Sequence, residues 1–311
     1  MKMKLISVIL GCFLPLLSLQ AQEKLTVLLD WFINPDHAPL LIAQELGYFK
    51  DEGLEVRLIS PSDPNDPPKL LAAKQADIAL SYQPNLYLLV AEGLPIARIG
   101  TLIDTPLNSL IVLADSPIQT IADLKGRTIG YSVGGFEDIY LTAMLDKYGL
   151  KLSDVTLISL NFSLSSALLT KKVDAVIGAF RNFELNQLSL MNIKALAFFP
   201  EEEGVPLYDE LIFIVHQDRI HDQQFKRFLK AIQRAVIFIL NNPEKSWEIA
   251  RKAYPDINDP LNQLAWMDTL RRFSHNPSLL DWKKYQDFVD FLKKHNPSLQ
   301  LPAMETYVPR L

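Results

Sequence analysis

One short segment, residues 30–39, gathers several side chains that could hold a small molecule. It reads Asp-Trp-Phe-Ile-Asn-Pro-Asp-His-Ala-Pro, so it offers an indole, carboxylates, an amide and an imidazole. An apolar run at residues 25–29 precedes it, and a helical pattern at residues 40–46 follows it. Loops at the carboxyl ends of strands in α/β sheets are common ligand sites. A proline-rich strand-to-helix turn would explain Asn34 and the prolines. It would not explain a tryptophan beside an aspartate, so the segment is predicted to be a binding loop.

Four residues of this loop are candidates for ligand contact. Trp31 can present an aromatic face to a flat ring, although the core of one lobe is an alternative place for it. Asn34 can hold the loop or a polar substituent of the ligand. Asp30 can touch the ligand or accept hydrogen bonds from its own loop, and the sequence favours neither role. His37 fits a hydrogen-bonding loop residue.

Three further strand ends carry candidate residues. These are Tyr82 after a strand at 77–82, Gly135 and Phe136 between a strand at 127–132 and a helix, and Phe183 and Glu184 after a strand at 174–179. The three aromatic rings could cover a flat ligand, although Tyr82 could also lie at the surface. Free amides near Gly135 suit a polar ligand group, but Glu137 and Asp138 already neutralise the helix dipole there. Gly135 is therefore predicted to lie in a hinge-side turn that touches ligand.

Strand and helix patterns alternate along the chain and must position these residues. The predicted strands cover residues 25–29, 54–59, 77–82, 96–103, 109–114, 127–132, 155–160, 174–179, 193–199 and 211–215. Such alternation is typical of βαβ units and a mostly parallel sheet. Crossings near residues 104–106 and 201–206 indicate two α/β lobes with a hinge and an interlobe cleft. Lobe 1 is predicted to comprise residues 22–106 plus 207–311, and lobe 2 residues 107–206.

The first 21 residues have the pattern of a signal peptide. Lys2 and Lys4 precede an apolar stretch at residues 5–19, and a cleavage site after Ala21 is plausible. An uncleaved anchor is the alternative. The single cysteine, Cys12, lies within this leader, so the mature chain would contain none. We therefore expect a periplasmic or otherwise extracytoplasmic protein.

Composition excludes one class of partner. The net charge is −5 and becomes more negative when the two leader lysines are removed. An acidic chain without a basic stripe is a poor nucleic-acid binder. No stretch after the leader is long and apolar enough to suggest a membrane span. A monomer with a small-molecule ligand is the expectation.

The order of elements resembles that of type II periplasmic binding proteins. The opening loop is similar to the Asp-Trp-Phe-x-Asn-Pro-x-His segment of one family, with Ile33 where a proline is more frequent. That family contains bacterial binding proteins for thiamine-pyrimidine precursors and fungal pyrimidine synthases. Segments 76–79 and 124–127 are similar to phrases common to many binding proteins, including those for sulfonates and nitrate, and they indicate the fold only.

The resemblance implies an aminopyrimidine ligand. Such a ring needs aromatic faces and a carboxylate that pairs with a ring nitrogen and the neighbouring amine. Glu184 and Asp30 are candidates from opposite sides of the cleft, and the resemblance implies Glu184 as the pyrimidine reader. An ordinary acid at a helix start explains Glu184 equally well from the residues alone.

The fungal relatives are enzymes that use bound pyridoxal phosphate, a histidine of their own, iron and a cysteine-rich loop. His37 matches their loop histidine, but the mature chain has no cysteine, and residues 30–39 contain no lysine for a Schiff base. The scattered histidines have no metal-ligand spacing. No catalytic residue, cofactor or metal is therefore predicted.

The sequence thus predicts a solute-binding component of an ABC importer that captures a thiamine-type aminopyrimidine and delivers it to an inner-membrane permease. Three alternatives stay open. The cleft could bind another flat heterocycle such as a flavin, the chain could be a synthase-like enzyme with pyridoxal phosphate, or it could be a sensor or adaptor module.

Overall fold

The computed structural model describes residues 22–310. The predicted signal peptide, residues 1–21 with Cys12, lies outside the described residues. Within them, no helix combines the length and the apolar character needed to cross a bilayer. Two five-stranded mixed sheets, each covered by helices, form the architecture.

The first sheet has the strand order β2-β1-β3-β10-β4. Its strands are β1 (Glu23–Leu28), β2 (Leu54–Ile59), β3 (Ile78–Ser81), β4 (Ile96–Ile103) and β10 (Leu211–His216). β1 is parallel to β2 and β3, whereas β10 is antiparallel to both of its neighbours. β4 and β10 are buried at every position, as expected for apolar strands covered on both faces.

The second sheet repeats this arrangement with the order β7-β6-β8-β5-β9. Its strands are β5 (Asn108–Leu113), β6 (Thr128–Tyr131), β7 (Thr156–Ser159), β8 (Ala175–Phe180) and β9 (Ala195–Phe198). β6 is parallel to β7 and β8, and β5 is antiparallel to β8 and β9. The ends of β6 and β8 lead into the loops that carry Phe136 and Glu184.

The helices lie on the faces of both sheets. They are α1 (Ala38–Glu45), α2 (Tyr48–Asp51), α3 (Pro67–Ala72), α4 (Gln83–Ala91), α5 (Phe136–Asp146), α6 (Leu164–Leu169), α7 (Glu184–Leu190), α8 (Gln223–Asn241), α9 (Pro243–Ala253), α10 (Pro260–Thr269) and α11 (Trp282–His295). α8 is strongly amphipathic: Phe228 on its buried side stacks on Phe49 at 5.4 Å between ring centroids, while Ile237 is exposed. Burying one such phenylalanine stabilises the fold by about 1.5–3 kcal/mol.

The chain crosses between the sheets twice, before β5 and before β10. Glu210 ties the two crossings together, because its Oε2 accepts hydrogen bonds from the amides of Leu107 (2.5 Å) and Asn108 (3.0 Å). The hydroxyl of Tyr208 donates to the same oxygen at 3.0 Å. All strands of the first sheet fall within residues 22–106 and 207–311, and those of the second within 107–206. The residue at which each lobe ends stays a prediction.

All ten strands predicted from the sequence are present, with ends that shift by one or a few residues. The helix after β8 begins at Glu184, because residues 180–183 form a turn first. The α/β fold with two sheets is thereby confirmed. The prediction of a mostly parallel sheet was wrong, because β10 and β5 are antiparallel to both of their neighbours and each sheet has two parallel and two antiparallel pairings.

Candidate functional site

A small cavity lies between the two sheets, where both crossings bring the strand ends together. Its lining comes from both lobes: Asp30, Trp31, Asn34, Asp36, Tyr82, Ser132, Val133, Phe136, Glu137, Gly178, Phe180, Phe183 and Glu184. Seven of the nine residues predicted from the sequence are among them; His37 and Gly135 are not.

Internal hydrogen bonds hold the opening loop in shape. Asn34 caps the single 3-10 turn Pro35–His37: its Oδ1 accepts from the amide of Asp36 at 2.8 Å. In return, the backbone N–H of Asn34 donates to His37 Nδ1 at 3.3 Å. The side-chain Nδ2 of Asn34 donates to the Phe32 carbonyl. Reciprocal capping of this kind satisfies backbone donors that a short turn leaves free. Asn34 therefore holds the loop as well as lining the cavity.

His37 is fully buried behind the loop and acts on Asp30. Its Nε2 lies 2.9 Å from Asp30 Oδ1, and because Nδ1 is an acceptor, Nε2 carries the hydrogen. The Tyr82 hydroxyl donates to the other oxygen, Oδ2, at 3.0 Å. Both oxygens of Asp30 thus have protein partners, and the carboxylate fixes the Tyr82 ring at the wall of the cavity. Burial, followed by the charge of Asp30, raises the pKa of Tyr82 well above its ordinary value.

Aromatic rings from both lobes meet around the cavity. Tyr82 contacts Phe136 across the cleft, with 5.1 Å between ring centroids and 31° between ring planes. Trp31 packs edge-on against Phe162 at 4.5 Å, and Phe32 contacts the same ring at 4.4 Å. The rings of residues 31, 32 and 162 thus form an interlobe contact at the rim, which we call the aromatic latch. Trp31 lies at the cleft and not inside one lobe.

Gly135 lies where the two lobes are in close contact. Its φ is +96°, a conformation that favours glycine, and a Cβ at this position would lie 3.2 Å from Leu88 Cδ1 on the other lobe. Gly135 therefore allows close approach of the lobes, while Phe136, which follows it, lines the cavity.

Glu184 lies both at a helix start and in the lining of the cavity. It begins α7, and its Oε2 accepts from the amide of Phe180 at 2.6 Å, while the residue lines the cavity. Burial raises its pKa from 4.5 to about 7, and the nearby charge of Asp36 contributes to the increase. A carboxyl group with this pKa can hold a proton at neutral pH and give it to a ligand nitrogen.

Two acids in the cavity were not among the site residues predicted from the sequence. Asp36 is buried, and burial raises its pKa from 3.8 to about 6. Glu137 is also buried; its Oε2 accepts from the amide of Ser132 at 2.9 Å, and burial raises its pKa well above the ordinary value. The sequence indicated Glu137 only as a helix-dipole acid and Asp36 only as part of a turn.

Gly178 is a lining residue that the sequence pattern could have indicated. A glycine inside a strand pattern often marks close approach of another group. Here φ is +89°, and a Cβ would overlap the Glu137 carboxylate. Ser132, Val133 and Phe180 complete the lining, and nothing in the sequence pattern distinguished them from ordinary residues at strand ends.

The lining is acidic and contains no base. Four carboxyl groups, those of Asp30, Asp36, Glu137 and Glu184, line the cavity, and none of the thirteen described lining residues is a lysine or an arginine. Despite these acids, no group of three potential ligands in residues 22–310 is arranged to hold a metal ion. The arrangement offers acceptors and negative charge to a ligand, which favours N–H donors and cations and opposes anions.

Solved structures show the same fold. The chain superposes on the periplasmic aliphatic sulphonate-binding protein of Escherichia coli with a TM-score of 0.67, at 15% identity and with 92% of each chain covered. A Candida albicans protein with the generic periplasmic binding protein fold gives a TM-score of 0.71 at 16% identity, covering 92% of this chain and 95% of the other. These likenesses establish the periplasmic binding protein fold.

Sequence relatives are closer. A Haemophilus influenzae protein named for thiamine biosynthesis is 48% identical, over 97% of this chain and 96% of its own length. The formylaminopyrimidine-binding protein of Halalkalibacterium halodurans is 32% identical over 78% of this chain and 74% of its own. The 4-amino-5-hydroxymethyl-2-methylpyrimidine phosphate synthase of Aspergillus parasiticus is 28% identical, over 86% and 82%. The model of one family, described as NMT1/THI5 like, matches residues 34–246. The match of this model over most of the chain, together with the identity to the first two relatives, shows that the chain belongs to the NMT1/THI5-like family.

Proposed function

We propose that this protein is the extracytoplasmic solute-binding component of an ABC importer and that its cleft captures a thiamine-type aminopyrimidine. The observation that supports this most strongly is Glu184, a cleft carboxyl whose pKa is raised to about 7 beside aromatic rings. Relatives of this chain include a binding protein for a formylaminopyrimidine. The fold is shared with periplasmic binding proteins, which supports the extracytoplasmic role.

The recognition step follows from donor and acceptor chemistry. An aminopyrimidine presents a ring nitrogen beside an exocyclic amine. A carboxyl group can make two parallel hydrogen bonds to this edge, one through the proton that it shares with the ring nitrogen and one accepted from the amine. Glu184 keeps one oxygen on the Phe180 amide and has its second oxygen and its proton for this pairing. Tyr82, Phe136, Phe183 and Trp31 would cover the faces of the ring.

Binding without catalysis is favoured over a synthase. His37 is fully buried, is bonded to Asp30 and does not line the cavity, so it is badly placed to be consumed as a substrate. No lysine lines the cavity among the described residues, so there is no amine there to hold an aldehyde as a Schiff base. The small size of the cavity also favours a single substituted ring over the three fused rings of a flavin.

A thermal-shift and calorimetry series tests this function. The purified mature chain is titrated with 4-amino-5-hydroxymethyl-2-methylpyrimidine, its aminomethyl and formylaminomethyl analogues, riboflavin and pyridoxal phosphate. A ligand at about 100 times its Kd stabilises the folded state by about 2.7 kcal/mol, which is a readily measured shift. We expect stabilisation by aminopyrimidines alone. An absorbing adduct with pyridoxal phosphate would favour the synthase, and stabilisation by riboflavin alone would favour the flavin alternative.

A further inference from the structure

Asp36 lies in the cleft with hydrogen bonds from the protein to only one of its two carboxylate oxygens. Its Oδ1 accepts from Asn182 Nδ2 at 2.6 Å and from Thr269 Oγ1 at 3.1 Å. Oδ2 has no donor within residues 22–310, and the residue lines the cavity. The side chain is therefore fixed by the protein and still has acceptor capacity on the ligand side.

Asp36 and Glu184 come from different lobes and influence each other. The charge of Asp36 is one of the causes that raise the pKa of Glu184, although burial is the larger cause. Closing the lobes brings these two acids together in a space that excludes water. Such a pair is stabilised by a proton, by N–H donors or by a positive charge, and it is destabilised by any further negative charge.

The place that could have bound an anion is already occupied. The turn after β6 leads into the N-terminus of α5, and backbone amides at a helix N-terminus are a favourable environment for phosphate. The amide of Ser132 instead donates to Glu137 Oε2 at 2.9 Å. Glu137 is buried, and its carboxyl group occupies the space that a side chain at position 178 would need. An incoming phosphate would meet a carboxylate there rather than a free amide.

We propose that Asp36 is a second ligand-reading acid opposite Glu184 and that it makes the cleft select an unphosphorylated amine-bearing base over its phosphate ester. This inference rests on the proposed function. The free oxygen of Asp36 accepts a second N–H or O–H of the ligand, and the negative charge of Asp36 opposes that of the ester. The ligand class is thus a neutral or protonated aminopyrimidine without phosphate.

A purely structural role for Asp36 has a different consequence. If Asp36 only joined the lobes through Asn182, its loss would weaken closure over every ligand to the same extent. A ligand-reading acid instead changes the ratio between a neutral ligand and an anionic one. The ratio of two dissociation constants therefore separates the two roles.

The test compares 4-amino-5-hydroxymethyl-2-methylpyrimidine with its phosphate ester by calorimetry. We expect the wild-type protein to bind the unphosphorylated base at least about 100-fold more tightly. Repulsion between like charges in a site without water weakens binding of the ester several-fold for each charge. Asp36→Asn should reduce this ratio at least about ten-fold, whereas Asp36→Glu, which keeps the charge, should retain most of it. Asp287→Asn removes an exposed carboxylate on α11 and serves as the charge-matched control, with the wild-type ratio expected.

Each outcome decides a separate point. An unchanged ratio in Asp36→Asn, with the base still bound, overturns the role of Asp36 and leaves the proposed function standing. Equal binding of base and ester by the wild-type protein overturns the selection itself, even if Asp36→Asn does not fold. A folded wild-type protein that binds neither compound overturns the proposed function and this inference together.

Discussion

Glu184 is a single carboxyl group that both supports a helix start and lines the cleft. One oxygen satisfies the Phe180 amide at the start of α7, and the side chain lines the cleft. The helix start supplies the structural reason for an acid, and burial supplies the raised pKa. The sequence alone could indicate either role but could not show that they coexist, because the direction of the side chain depends on the turn before α7.

Replacing Glu184 tests its role in recognition. Glu184→Ala should weaken aminopyrimidine binding by roughly ten- to hundred-fold, because a hydrogen bond to a charged group is worth about 1.5–3 kcal/mol. Glu184→Gln should retain part of the affinity, since an amide offers one donor and one acceptor to the same edge. Calorimetry measures both. Glu244→Ala is the matched control, because Glu244 is an exposed acid in the first turn of α9. Full affinity in Glu184→Ala would remove Glu184 from the site.

Gly178 allows a second prediction at the residue scale. In Gly178→Ala the new Cβ overlaps the Glu137 carboxylate, so Glu137 must move and the site must deform. We expect loss of stability of about 1–3 kcal/mol, as overpacking usually causes, together with loss of ligand binding. Denaturant unfolding and calorimetry measure the two effects.

Gly93→Ala separates backbone strain from overlap. Gly93 has φ +90°, close to the +89° of Gly178, but a Cβ there meets nothing within 4 Å. It should show only the smaller penalty of a non-glycine residue at positive φ, and unchanged binding. Equal penalties in the two variants would mean that the contact with Glu137 has no energetic importance.

The aromatic latch is the element that joins two loops across the cleft. Trp31 and Phe32 follow β1, while Phe162 follows β7, and the three rings touch only when the lobes are together. Aromatic pairs contribute about 0.5–1.5 kcal/mol each beyond the area that they bury. The latch is therefore expected to stabilise the closed, ligand-bound state more than it stabilises either lobe.

Phe162→Ala tests the latch. We expect affinity for the aminopyrimidine to fall roughly five- to hundred-fold through faster dissociation, because closure loses two aromatic contacts. The unfolding temperature of the ligand-free protein should change little. Stopped-flow fluorescence of the latch tryptophan gives the rates, and Leu279→Ala, at a side chain that is 66% exposed, is the control. An unchanged dissociation rate would show that the latch does not hold the closed state.

The elements themselves were largely predictable, and the reason is physical. The spacing of apolar residues shows which side of each strand or helix is buried, so all ten strands could be predicted from the sequence pattern. The crossing near residues 104–106 could also be placed. The places of Asp36 and Glu137 in the cavity could not be predicted, because they depend on contacts with residues far away in the chain. Asp36 contacts Asn182 and Thr269, and Glu137 lies against Gly178. Local pattern carries no information about such contacts.

At the scale of the whole molecule, several buried acids make stability depend on pH. The pKa of Glu184 and that of Glu210 are raised from 4.5 to about 7, and that of Asp36 from 3.8 to about 6, with burial as the main cause each time. Between the unfolded and folded pKa values the folded state binds more protons. The free energy of unfolding therefore falls as pH rises through this window.

We accordingly expect the ligand-free protein to melt at a higher temperature near about pH 5.5 than near about pH 7.5. Differential scanning calorimetry across this range measures the slope. Glu210→Gln should make the slope shallower, because the amide keeps an acceptor for the crossing amides and does not titrate. A melting temperature that rises steadily with pH would contradict the raised pKa values.

The cleft between the lobes is where the predictions about single residues, the aromatic latch and the whole molecule meet, because each concerns how a ligand is held there. The most direct test is a crystal structure of the mature protein with 4-amino-5-hydroxymethyl-2-methylpyrimidine. We predict the ring between the lobes, with its nitrogen edge on Glu184, its faces against Tyr82 and Phe183, and a polar substituent within hydrogen-bond distance of Asp36. A ligand bound outside the cleft, or a ring in the cleft with Glu184 turned to solvent, would contradict the account.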